Sequence, residues 1–163
     1  MDVKTVKIGL SELGFGAGST VLRTTGLGSC VGLVLYDADK KLSGMAHIML
    51  PHSSLARSRE INEAKYADTA IKRLVFGLEE MGSRRKALRA KIAGGAEMFQ
   101  MVDQSYAMRI GPRNVEAIKS GLKEWEIPLI AEHTGGSKGR TIEFDTDTCE
   151  LQIKIVHQGE LVI

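Results

Sequence analysis

The run CVGLVLYD, residues 30 to 37, constrains the fold more than any other stretch of the chain. Its apolar character is nearly continuous, without the polar alternation of a strand that has one face in water, so it reads as a strand buried on both faces. DADKKLSG then supplies a polar turn, and Met45 to Leu50 returns as a second strand ended by Pro51. The pair makes an antiparallel hairpin whose turn falls near Ala38 to Lys40.

The flanking segments supply what covers such a hairpin. Lys4 to Leu10 and Val21 to Thr25 read as short strands joined through Gly14, Gly16 and Gly18. Residues 51 to 63 form a polar loop, and from Ala64 the apolar positions change to a helical period. Ala67, Ala70, Ile71, Leu74, Val75, Leu78 and Met81 make one face of that helix, ended by Gly82. LRAKIAGG is a strand running into paired glycines. Pro112 to Trp125 is a second amphipathic helix with Val115, Ile118, Leu122 and Trp125 on one side, stopped by Pro128. PLIAEHTGG, RTIEFDTDT and CELQIKIVH add β segments, the last two joined by a turn around Asp145 to Thr148. Strands first, then strands and helices interleaved, then strands again suit an α+β layered sandwich better than a regularly wound α/β fold. With 163 residues, the expectation is a single domain over 1–163.

Several function classes are disfavoured. The 22 basic and 20 acidic residues are spread along the chain, without the basic footprint of a nucleic-acid binder. Its densest basic stretch, SRRKALRAK, reads as a solvated loop leading into a strand. The N-terminus has neither the basic start nor the apolar run of a signal peptide, and no stretch of about 18 apolar residues could span a membrane, which predicts a cytoplasmic protein. There the two cysteines, Cys30 and Cys149, stay reduced. No Cys and His spacing resembles a metal site, and GLGSC leads into a strand, not a helix, so a phosphate cradle is unsupported. No cofactor is expected.

Cys30 closes the glycine-rich turn TTGLGSC, and the hairpin carries His47 to a similar height on the neighbouring strand. A catalytic thiol needs a base, because little of an unperturbed cysteine is thiolate at neutral pH. From spacing alone the pair is open between a nucleophile with its base and a core cysteine beside a satisfied core histidine. Thr24 or Thr25 could orient the imidazole through a hydroxyl or a backbone carbonyl. Cys149, with no histidine near it in sequence, reads as structural.

Six motifs in order, TxGLGSCV from Thr24, MAHIMLP from Met45, KYADTA from Lys65, AKIAGGAEMF from Ala90, IGPRNVEA from Ile110 and AEHTGG from Ala131, resemble the chemoreceptor glutamine deamidases known as CheD. The resemblance implies a cysteine hydrolase that converts selected receptor glutamines to glutamate. It carries the nucleophile to Cys30, the histidine to His47 and the third member to Thr24. It implies a three-layer α/β/β sandwich like that of bacterial toxin deamidases, methyl-accepting chemotaxis receptors as substrates, and a CheC-type phosphatase as a partner. His133 stands where relatives carry an acid, so no role carries over to it.

Around the nucleophile, Gly26 and Gly28 are expected to shape the bend and clear the approach of a protein substrate. Gly28, Ser29, Gly94, Gly95, Gly135 and Gly136 are the candidate substrate-binding positions, each with an ordinary reading as a turn residue. Met98, Phe99 and Met101 read either as an apolar contact surface or as core. Two other functions stay open: a binding module whose main task is to engage the phosphatase, and transglutaminase or receptor methylesterase chemistry at the same thiol.

Overall fold

The computed structural model describes residues 2–98 and 109–163. Among these residues, ten strands and two α-helices follow in chain order: β1 (Lys4–Lys7), β2 (Leu13–Ala17), β3 (Thr20–Leu27), β4 (Val31–Asp37), β5 (Leu42–Ile48), α1 (Ala67–Glu80), β6 (Arg89–Gly94), α2 (Ile110–Glu124), β7 (Leu129–Thr134), β8 (Arg140–Asp145), β9 (Glu150–Ile155) and β10 (Gly159–Val162). They form two five-stranded sheets, one ordered β1-β3-β8-β9-β10 and the other β2-β5-β4-β6-β7. Each is antiparallel apart from one parallel pair, β1 with β3 and β6 with β7.

The expected hairpin, β4 and β5, lies inside the second sheet, and every residue of both strands is buried. The pleat sends alternate side chains to opposite faces. Val31, Leu33, Leu35, Ala46 and Ile48 pack against Ala70, Ile71, Leu74 and Leu78 of α1 and Ile118 and Leu122 of α2. Val34, Tyr36 and Met45 face the first sheet, meeting Leu22, Leu27, Ile142, Phe144, Leu151 and Ile153. Apolar side chains are therefore needed on both faces, which is the physical reason for the unbroken run in CVGLVLYD. Each fully buried Leu or Ile contributes about 1.5–3 kcal/mol. Helices on one face of the second sheet and the first sheet on its other face give an α+β sandwich.

The sequence expectations differ from this arrangement in three places. LGFGA is a strand, β2, paired with β5, not a linker. Its glycines conceal it: a Cβ on Gly14 would press on Val6 and Ile8, and one on Gly16 on Thr20 and Leu22, so only glycine lets this strand lie so near the first sheet. Met81, expected on the apolar face of α1, is exposed, because it caps the helix before Gly82 turns the chain at φ +109. The C-terminal residues pair as β10, an edge strand without the apolar density that marks buried strands.

Candidate active site

The site lies between the two sheets, at one end of the hairpin. His47 pairs with Gly32 across the β4–β5 ladder, so Cys30, two residues before Gly32, stands one diagonal step from His47 on the same face. Diagonal neighbours in an antiparallel pair are about 7–8 Å apart, within reach of long side chains. The hairpin geometry expected from sequence thus holds to within one step of the ladder.

Thr24 approaches from β3 of the opposite sheet. Its Oγ1 lies 2.7 Å from the Ile8 carbonyl oxygen and 2.7 Å from His47 Nδ1. The carbonyl only accepts, so the single hydroxyl proton goes to Ile8 and the oxygen must accept Nδ1–H. That assigns the tautomer: Nδ1 carries the proton and Nε2 keeps its lone pair. Nε2 is buried and has no hydrogen-bond partner. The contact is made by the threonine hydroxyl and not by a backbone carbonyl, and Thr25, exposed on the same strand, plays no part in it.

Burial sets the protonation states. It pushes the Cys30 thiol above its ordinary range, opposed in part by the residue's own backbone N–H, and holds the His47 imidazole below the usual histidine value. At neutral pH both groups therefore rest uncharged. With Nδ1 protonated, Nε2 is the ring atom that can take a proton, and two neutral groups make no standing ion pair.

Backbone hydrogen bonds gather the candidate glycines around the thiol. Gly95 N–H donates to the Cys30 carbonyl, Ala96 N–H to that of Gly28, Gly135 N–H to that of Gly94, and Glu97 N–H to that of Gly136. Gly94 has φ +122, and a Cβ there would fall 2.3 Å from the Cys30 carbonyl oxygen, so glycine is obligatory at that crossing. Gly26 turns the chain at φ +71, whereas Gly28 lies against the Met98 side chain. Met98 is half-exposed; Phe99 and Met101 lie outside the described residues. An open groove of about 550 Å³ runs between α2 and the end of β7, lined by Gly95 and Gly135 with Pro112, Val115, Lys119 and Thr134. Cys30 and His47 are not among its lining residues.

Two further buried polar residues were not expected from sequence. Arg140 Nε donates to His133 Nδ1 at 3.0 Å and its Nη2 to the Gly135 carbonyl at 2.7 Å, fastening the 135–136 turn. Burial and the neighbouring guanidinium both hold His133 below its ordinary pKa. Asn114, on the buried face of α2, reaches the turn before Cys30. Neither has a periodicity signal; only the oddity of a polar residue on an otherwise apolar helix stripe points to Asn114. Among the described residues, no helix is long and apolar enough to cross a membrane.

A thiol at a glycine turn, an imidazole with one ring nitrogen held and the other unpartnered, and a hydroxyl from a second sheet are the kinds of group on which thiol-dependent acyl-transfer chemistry draws. Residues 49–155 match the family described as CheD chemotactic sensory transduction. That match begins beyond His47, but relatives extend across the site. A chemoreceptor glutamine deamidase CheD of Halalkalibacterium halodurans is 55% identical over 155 residues, covering 95% of this chain and 96% of its own length. Its counterpart in Bacillus subtilis is 51% identical over 162 residues, covering 99% and 98%, and a probable chemoreceptor glutamine deamidase CheD of Clostridium botulinum is 48% identical over 159 residues, covering 98% of each. The chain belongs to the CheD family.

Proposed function

We propose that this protein is a chemoreceptor glutamine deamidase in which Cys30 is the nucleophile, His47 the base and Thr24 the group that orients the base. The observation that carries the assignment is the Thr24 hydroxyl bound between the Ile8 carbonyl and His47 Nδ1, which leaves Nε2 as the proton acceptor. Relatives of about half-identical sequence that bear the deamidase name support the reaction and the receptor substrates.

The chemistry follows from these groups. As Cys30 Sγ attacks the carboxamide carbon of a substrate glutamine, the thiol proton passes to His47 Nε2, an S–C bond forms and the carbonyl electrons move to oxygen. The backbone N–H of Cys30, which lies beside its own sulfur, is placed to donate to that oxyanion. The imidazolium gives its proton to the departing nitrogen, which leaves as ammonia. A water deprotonated by Nε2 then attacks the thioester carbon, and collapse yields glutamate and the free thiol. Gly95 and Gly135 join the nucleophile turn to the groove beside α2, where a receptor helix is proposed to lie.

The test is ammonia release and the glutamine-to-glutamate mass change on a receptor cytoplasmic fragment, with Cys30→Ala alongside. Modification by wild type and none by the variant is expected; unchanged modification by Cys30→Ala would refute the nucleophile. The same assay with added primary amine, or with a methyl-esterified receptor, separates transglutaminase and esterase chemistry. The proposal further includes a single deamidase domain over 1–163, a layer order like that of bacterial toxin deamidases, a cytoplasmic location, and a CheC-type phosphatase as partner, to be tested by co-purification.

A further inference from the structure

Asn114 lies behind the site, in the helix layer, on the face of the second sheet opposite the catalytic side chains. It is fully buried on the stripe of α2 that also carries Ile118 and Leu122. Its Nδ2 donates to two carbonyls, Ser29 O at 3.0 Å and Met49 O at 3.0 Å. Ser29 immediately precedes Cys30, and Met49 is two residues beyond His47.

These two carbonyls sit where the β4–β5 ladder stops. The last pair is Val31 with Ile48. Beyond it the backbones part: the Cys30 carbonyl turns to Gly95 N–H, and Met49 N–H turns to the Lys65 carbonyl. Among the described residues, no main-chain rung beyond Val31–Ile48 ties the segment that carries Cys30 to the strand that carries His47. The side-chain amide of Asn114 supplies one, since two donors on a single nitrogen can hold two acceptors at once. A hydroxyl or an imidazole nitrogen offers one donor, and a carboxylate none. The cost is visible at the other amide atom: Oδ1 is buried without a partner, a destabilising arrangement that the fold nevertheless keeps.

We infer that Asn114 is a positioning residue for the deamidation, a side-chain rung that sets the distance between Cys30 and His47 from the far side of the sheet. The inference rests on Cys30 and His47 being nucleophile and base. Misplacing reacting groups by about 1 Å costs on the order of 100-fold in rate, so loss of the rung acts on the chemical step, not on binding at the groove.

The experiment compares wild type, Asn114→Leu, Asn114→Ala and Cys30→Ala on a receptor fragment, with kcat and KM resolved, thermal unfolding measured, and iodoacetamide labelling of Cys30 and Cys149 followed by peptide mass spectrometry. Leucine shares the γ-branching of asparagine and removes both the donor nitrogen and the orphan oxygen, alanine removes them without adding volume, and thermal unfolding identifies the temperature at which each variant is folded for the assay. Expected for Asn114→Leu is a kcat lowered about 10- to 100-fold with KM within about twofold, and a changed Cys30 labelling rate at an unchanged Cys149 rate. A kcat within about twofold of wild type in folded Asn114→Leu overturns the inference. So does a loss that follows the unfolded fraction, with both thiols becoming equally reactive. Retained activity in Cys30→Ala would strike the catalytic reading itself, which keeps the two failures apart.

Discussion

Thr24→Val removes one oxygen and changes little else. The side chains have nearly the same shape, and Thr24 is buried at 2% exposure, so the substitution isolates the hydroxyl. Two groups lose their partner, the Ile8 carbonyl and His47 Nδ1–H. A buried group left unsatisfied costs about 1–3 kcal/mol, which puts the loss of stability at about 2–6 kcal/mol if neither site relaxes. The catalytic effect is separate. With no acceptor at Nδ1, the imidazole has no reason to keep its proton there, and the tautomer protonated on Nε2 cannot take the thiol proton. Wrong-tautomer substitutions in comparable constellations lower kcat by up to about 10⁴-fold, so a drop of about 10²–10⁴, or 3–5 kcal/mol in barrier, is expected. Thr24→Ser keeps both hydrogen bonds and should remain within about threefold of wild type. Deamidation of a receptor fragment at a temperature where both variants are folded gives the rates, and the imidazole ¹⁵N shifts report the tautomer directly. If Thr24→Val matched Thr24→Ser in kcat, the hydroxyl would not be the orienter and the tautomer argument would fall.

Two further predictions concern the same site. Because burial lowers the pKa of His47, its neutral, proton-accepting form persists below the ordinary 6.5, so the acid limb of kcat/KM should lie below that value; a limb above it would contradict the buried imidazole. Gly94→Ala forces a Cβ to 2.3 Å from the Cys30 carbonyl oxygen at φ +122, and should cost more than about 2 kcal/mol and most of the activity. Gly18→Ala, at φ +60 with no atom within 4 Å, should cost about 1 kcal/mol and leave the rate unchanged, and equal effects in the chemical-denaturation and deamidation measurements would refute the close-approach argument.

What was legible in the sequence was legible for local reasons. The β4–β5 hairpin announces itself through a continuous apolar run, a polar turn and a proline stop, and a hairpin's own arithmetic brings residue 30 near residue 47. Helix faces show through a repeat of three and four residues, which is why Ile71, Leu74 and Leu78 were recoverable. Thr24 needed the family resemblance, because its contact with His47 joins two different sheets and no spacing within one element encodes it. Asn114 stands in the family motif IGPRNVEA and breaks an apolar helix stripe, but neither signal names its partners: its bonds span 85 and 65 residues of chain and end on main-chain atoms without sequence identity. β2 escaped because the close approach of the sheets selects glycine there, erasing the alternation by which strands are read.

The resting charges of Cys30 and His47 bear on how the proposed site would distinguish its substrate. A thiol held protonated by burial reacts slowly with small electrophiles, because only the thiolate is a strong nucleophile. An imidazole kept neutral is, for its part, always ready to receive the proton. Attack therefore becomes favourable only when a carboxamide carbon is brought against the sulfur, so that S–C bond formation and proton transfer to Nε2 offset each other's cost. The parts that achieve this are almost entirely backbone: the turn through Gly26, the crossing at Gly94 and the hydrogen bonds from Gly95 and Ala96 to the nucleophile turn. Such a frame is held by main-chain hydrogen bonds and offers no side-chain chemistry of its own. Selectivity then resides less in thiol reactivity than in which protein segment can seat a glutamine in that frame.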